Sequence, residues 1–209
     1  MKRIKRSHLW VYSIAVILCL FIAGEISYMI RAGAESLPVQ GAAADFTATD
    51  VADGKQVALQ NLQGKIVLMT WYYTHCTNEC PLTMYRFEQM QNQLTRDRLF
   101  GGRVVLVAMT LDPARDTPSV ILQYSRHFHA NYRGWYFLRA NVGKTDRILK
   151  SWGVEVKPST NKEFIEHTTK TVLIDQSGNI RATFPTANLN PSAVVADIRN
   201  LVSRESWQA

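Results

Sequence analysis

The sequence predicts an α/β sandwich with a mixed central sheet, and three observations carry that expectation. An apolar, β-branched and aromatic run from Ile66 to Tyr73 reads as a strand buried on both faces, and helix-period residues follow it from about Glu79 to Leu94. Further strand-like runs alternate with helical ones along the chain. A hairpin turn at Gln176-Ser177-Gly178-Asn179 and a terminal helix then close it.

At the N-terminus, Lys2, Arg3, Lys5 and Arg6 precede an apolar segment, Leu9 to Ile30, interrupted by Ser13, Gly24, Glu25 and Ser27. A helix of that length would run about 33 Å, enough to cross a bilayer core. The basic flank predicts a single-pass protein of the cell membrane with its domain on the extracytoplasmic side. A cleaved signal peptide is the rival expectation, since Ala32-Gly33-Ala34 suits a small-residue cleavage site. Cys19 reads as apolar filler in this segment, because Leu18 stands where a lipidation site needs a small residue. The expected organisation is an anchor over 1–34, a linker over 35–44 with Pro38, Gly41 and three alanines, and one domain over 45–209. Of the net charge of +7, four units come from the basic flank, and Glu25 and Arg31 cancel, leaving +3 for the rest. That is an ordinary surface, and nucleic acid is not an expected partner.

The domain opens with short strands at Asp45 to Thr49 and Val57 to Leu59 around an Ala52-Asp53-Gly54-Lys55 turn. After the central strand and helix, Val104 to Leu111 reads as a second buried strand. The loop TLDPARDTP, Thr110 to Pro118, leads to a helix over about Ser119 to His129. Trp135 to Ala140 is a strand, and Lys144 to Trp152 a short helix with Ile148, Leu149 and Trp152 in one stripe. Glu163 to Ile165 and Lys170 to Asp175 are strands flanking Glu166-His167-Thr168-Thr169. Ile180 to Phe184 completes the hairpin, and the helix of about Pro191 to Arg204 puts Val194, Val195, Ile198 and Leu201 on one face. Sites in such sheets collect at the carboxyl ends of parallel strands, which makes the Cys76 and Asp112 loops neighbours.

Cys76 and Cys80 lie where the central strand ends and its helix begins. Thr77 or Asn78 is placed to cap that helix through a side-chain oxygen, and Pro81 is tolerated in the first turn. Unpaired N–H groups and the helix dipole favour a thiolate there. Two thiolates at this spacing allow three chemistries: a dithiol–disulfide cycle, a soft-metal site, or a peroxidatic thiol with a resolving partner. A purely structural disulfide closing so short a loop restrains little of the unfolded chain. Among the five histidines, His8 belongs to the basic flank, His75 should point away from Cys76, and His127 and His129 sit on opposite faces of a helix end. His167, in a polar loop before a buried strand, has a better location, as a ligand or as a surface histidine. Two sulfurs with one imidazole suit copper(I), whereas zinc would want a fourth protein ligand. Met84, one turn beyond Cys80, is either a further sulfur ligand or core.

Three blocks, WYYTHCTNECP, TLDPARDTP and EHTTKTVLID, in this order and spacing, resemble the signature blocks of the Sco/SenC family, with the likeness running over about residues 40 to 204. The resemblance implies a thioredoxin-like fold behind an N-terminal transmembrane helix, and copper held by Cys76, Cys80 and His167. It also implies a metallochaperone that helps assemble the copper A centre in cytochrome c oxidase subunit II, supplied by an upstream copper donor or thiol reductant. The alternatives within the family are a thiol-disulfide oxidoreductase and a redox-sensing interaction domain. Asp112 matches the family's acidic residue, placing it beside the metal or in a turn and capping role, while Arg115 and Asp116 read as structural. Glu166 stands where the family often has Asp. Thioredoxin-like reductases usually set a cis-proline before the corresponding strand, but no proline lies between Pro158 and Pro185, and Thr169 takes that place.

Overall fold

The computed structural model describes residues 12, 14–24, 37–158 and 165–205. The chain divides into two units, Met1–Ser36 and Leu37–Ala209.

In the first unit, residues 14–24 are helical. Among the described residues no helix is long and apolar enough to cross a membrane. The expected transmembrane helix, and with it the single-pass membrane location and the membrane as a partner, is corrected on this ground. Its segments 9–11, 13 and 25–30, and the Ala32–Ala34 cleavage site, lie outside the described residues.

The second unit is built on three parallel strands, β4 (Ile66–Tyr72), β5 (Val104–Thr110) and β6 (Trp135–Arg139). Every residue of β4 and β5 is buried, as their unbroken apolar runs require. Antiparallel neighbours extend the sheet on both sides: β9 (Lys170–Ile174), β10 (Asn179–Pro185) and β1 (Gly41–Ala42) beyond β4, and β2 (Thr47–Asp50) and β3 (Gln56–Ala58) beyond β6. The eight-stranded order is β1-β10-β9-β4-β5-β6-β2-β3. Among the described residues four helices flank it: α1 (Glu79–Arg96), α2 (Pro118–Arg126), α3 (Val142–Ser151) and α4 (Pro191–Glu205). Together these elements make a mixed, thioredoxin-like α/β fold.

Local chemistry sets the helix starts. Thr117 accepts the Val120 N–H with Pro118 in the first turn of α2, and Asn141 accepts the Lys144 N–H at the start of α3. Helix α1 turns Met84, Phe87, Met90 and Leu94 into the core and packs against α4. Phe87 meets Trp135, and Trp135 meets Phe137, at ring distances of 5.9 and 5.2 Å. Each such buried side chain contributes roughly 1.5–3 kcal/mol.

Two departures from expectation bear on the site. Part of the expected linker is docked: Gly41–Ala42 pairs with β10, Gln40 N–H donates to Ile180 O at 2.8 Å, and Arg181 Nε donates to Leu37 O at 2.8 Å. Of the strand expected over Glu163 to Ile165, only Ile165 is described, and it opens β8 (Ile165–His167), which runs on through His167 and pairs with β7 (Val156–Pro158) in a separate two-stranded sheet. Residues 163 and 164 lie outside the described residues. His167 therefore ends a strand and does not lie mid-loop.

Candidate metal centre

β4 and β5 end level, with Tyr72 opposite Thr110 and Leu111 N–H donating to Tyr72 O at 2.9 Å. The two loops beyond them are tied by Asp116. Its fully buried carboxylate accepts the Thr74 N–H at 3.2 Å and the hydroxyls of Thr74 and Thr110. Arg139 braces the second loop, donating to Asp116 O at 2.9 Å and Pro113 O at 2.8 Å. The stretch bearing Cys76 thus leaves a rigid sheet through a rigid turn.

Asn78 is the N-cap of α1, but neither it nor Thr77 supplies the expected oxygen, since no side-chain cap bond forms. A sulfur takes that part: Cys76 Sγ accepts the Cys80 N–H at 3.4 Å, and the Asn78 N–H as well. Cys76 is half-buried and Cys80 only 2% exposed, and both are free thiols. A hydrogen bond from the Cys80 thiol is the main cause holding the Cys76 pKa down to about 3. His167 and the two backbone N–H groups assist, and burial opposes. The same bond, with burial, pushes Cys80 far up. The pair therefore shares one proton, with Cys76 as the thiolate.

His167 comes to this pair from β8. Its Nε2 lies 3.7 Å from Cys80 Sγ and its Nδ1 3.1 Å from the Thr168 carbonyl. A carbonyl only accepts, so Nδ1 donates to it, while Nε2 is the ring nitrogen that faces the sulfurs. The ligand atoms of Cys76, Cys80 and His167 all lie within 4.8 Å of one another, the one such group among the described residues. Two thiolate sulfurs and one imidazole nitrogen form a soft, low-coordinate set that fits copper(I). A cavity of about 240 Å³, lined by Glu155, Lys157, Glu166, His167 and Thr168, leaves the imidazole side open.

Tyr73 is a residue the sequence did not single out. Its ring meets the His167 ring edge-on at 5.7 Å and 81°, and its hydroxyl oxygen accepts the Ile165 N–H at 3.2 Å. Burial raises its pKa, the Ile165 hydrogen bond opposes, and the two cysteine sulfurs add to the rise, so the hydroxyl stays protonated. The signal available was a polar aromatic at the end of an otherwise apolar strand, three residues before Cys76.

The other candidates fall as follows. Asp112 is buried, pairs with Arg115 Nε and stands outside the ligand group. It meets the site indirectly, since the Arg115 guanidinium lies 6.0 Å from the centre of the Tyr73 ring. Met84 is fully buried in the core. His75 is exposed with Nδ1 3.2 Å from Thr74 Oγ1, and His127 is exposed. His129 pairs with Glu88 at 2.8 Å. Glu166 is exposed, Thr169 directly precedes β9, and His8 lies outside the described residues.

Several known proteins are similar to this chain. Mitochondrial protein SCO2 of Saccharomyces cerevisiae is 30% identical over 138 residues, which take in 64% of this chain and 44% of that protein. The chain spans 59% of the length of a Stutzerimonas stutzeri relative, so both matches cover less than two thirds of the related protein. Bradyrhizobium japonicum ScoI, solved with copper bound, superposes with a TM-score of 0.66 at 24% identity, covering 77% of this chain and 99% of that one. BsSco, described as a member of the Sco family of cytochrome c oxidase assembly proteins with a disulfide switch, gives a TM-score of 0.66 at 20% identity, covering 80% and 98%. These likenesses show the fold. A profile of the SCO1/SenC family matches residues 35–203, nearly the whole of the second unit with all three ligand positions, and the chain belongs to that family.

Proposed function

We propose that this protein is a copper metallochaperone in which Cys76, Cys80 and His167 hold copper(I) and release it by ligand exchange. One observation carries this: the three ligand atoms converge within 4.8 Å, with His167 Nε2 3.7 Å from Cys80 Sγ. Copper is cargo here. The half-buried Cys76 thiolate and the open imidazole side give an acceptor's thiolates a line of approach, so each protein ligand can be displaced in turn. The copper-bound relative and the family's part in cytochrome c oxidase assembly support an acceptor at the copper A centre of oxidase subunit II, with a copper donor upstream. We take the ligand-bearing domain as 45–209, with Gly41–Ala42 of the stretch before it docked on its sheet.

A reductase of the acceptor's cysteines is the second function that an observation favours, because Cys76 is a low-pKa thiolate with Cys80 placed to resolve a mixed disulfide. Metal uptake separates the two. Reduced protein should bind about one copper per chain, and diamide-oxidised protein should lose most of that, since a disulfide has no thiolates to offer. Equal uptake by both forms would place copper elsewhere and leave reduction as the function.

A further inference from the structure

Holding a metal with ligands from two distant stretches requires that something fix the distance between them. The sulfurs ride on the β4–α1 turn of the main sheet, whereas His167 ends β8, which among the described residues pairs only with β7 in its own small sheet. Tyr73 touches both. It follows β4 directly, is 3% exposed, and lies three residues before Cys76. Its hydroxyl holds the Ile165 N–H at 3.2 Å, two residues before the imidazole, and its ring abuts the imidazole edge-on at 5.7 Å. On the ring's other contact, Arg115 sits at 6.0 Å with its Nε paired to the buried Asp112. Asp112, Arg115 and Tyr73 thus form a chain running from the β5 loop to the imidazole.

We propose that Tyr73 is the positioning residue for His167: its hydroxyl pins β8, and its ring, held by the Arg115–Asp112 pair, sets the imidazole at ligating distance from the sulfurs. The inference rests on the proposed copper function for its consequence and on the metal-free geometry for its content. Tyr73 supplies no ligand atom, so its effect passes entirely through His167. Removing the hydroxyl frees one end of β8, and removing the ring frees the imidazole to rotate away. A misplaced partner in a metal site costs roughly 10–100-fold in affinity.

The test uses the full reduced chain, with Tyr73→Phe and Tyr73→Leu made singly and in a His167→Ala background. Without metal, the Ile165 amide of Tyr73→Phe should exchange at least tenfold faster than in the wild type, while the Val105 and Leu106 amides of β5 keep their protection. Copper(I) affinity, read by chelator competition, should fall about 10–100-fold in Tyr73→Leu and less in Tyr73→Phe. In the His167→Ala background neither Tyr73 change should cost anything further, the non-additivity expected of a residue acting through another. Unchanged Ile165 exchange, or full and additive losses in the His167→Ala background, would overturn the proposal. The exchange arm needs no copper. A wild type that takes up none would therefore sink the copper function while the pinning of β8 was still decided.

Discussion

Asp116→Ala tests how the thiol-bearing turn is held. The carboxylate is fully buried and receives three donors, the Thr74 N–H and the hydroxyls of Thr74 and Thr110. Truncation leaves all three without their acceptor, at about 1–3 kcal/mol for each donor that water cannot reach. Thr110 is fully buried, whereas Thr74 is half-buried and open to partial rescue by solvent. Loss of the buried carboxylate also removes a desolvation cost, so the net destabilisation should be about 2–4 kcal/mol. Burial outweighs the hydrogen bonds and raises the Asp116 pKa in the folded state. The native protein therefore holds this proton more tightly than the unfolded chain. The residue's contribution is fully present below the unfolded value near 4 and declines as pH rises through the raised folded value. Urea unfolding of the reduced, metal-free chain should show the gap between wild type and Asp116→Ala, and a wider gap at pH 4 than at pH 8. A loss below about 1 kcal/mol with an unchanged m-value, or a gap that widens with pH, would refute the reasoning.

Two further outcomes follow from the same geometry. Cys76, with its pKa held down to about 3, should alkylate with iodoacetamide at a nearly constant rate from pH 5 to 8, falling only as the pH approaches 3, while free cysteine slows about tenfold per unit below 8.5; peptide mapping showing Cys76 following the free-cysteine profile would contradict this. Gly134→Ala should destabilise the fold by about 1–3 kcal/mol, because a Cβ there would stand 2.6 Å from Gly101 Cα and 2.8 Å from Gly101 N, where backbone cannot yield, whereas Gly102→Ala, with nothing within 4 Å, should be near-neutral. Thermal unfolding checks that pair, and copper stoichiometry should be unchanged in both.

The parallel core was legible because its pattern is strong: β4 and β5 are unbroken apolar runs, and α1 repeats its buried residues at helical spacing. The same pattern placed Cys76 at a strand end beside a helix start and made the Asp112 loop its neighbour. Short elements were not legible. β1 is two small residues, held by backbone bonds to β10, with Arg181 holding Leu37 upstream, and neither leaves a periodic trace. The run of β8 through Glu166 and His167 is not legible, because a short strand with alternating partial burial carries almost no signal. The helix cap was assigned to an oxygen by residue preference, while the nearby thiolate, already stabilised by that helix end, took the role. Asp116 is structural, as the sequence suggests, while its partner Thr74 lies in another block of sequence, a pairing that the level ends of β4 and β5 create. In the N-terminal segment apolar composition does not translate into a spanning helix: among the described residues none is long and apolar enough to cross a membrane.

X-ray absorption at the copper edge, on the reduced chain loaded with one equivalent of copper(I), tests the central claim most directly. The account predicts a low-coordinate copper(I) with two sulfur neighbours and one imidazole nitrogen, and a His167→Ala spectrum that keeps both sulfurs, loses the imidazole scattering and accompanies an affinity loss of about tenfold or more. A wild-type shell without sulfur, or spectra from wild type and His167→Ala that superimpose, would contradict it.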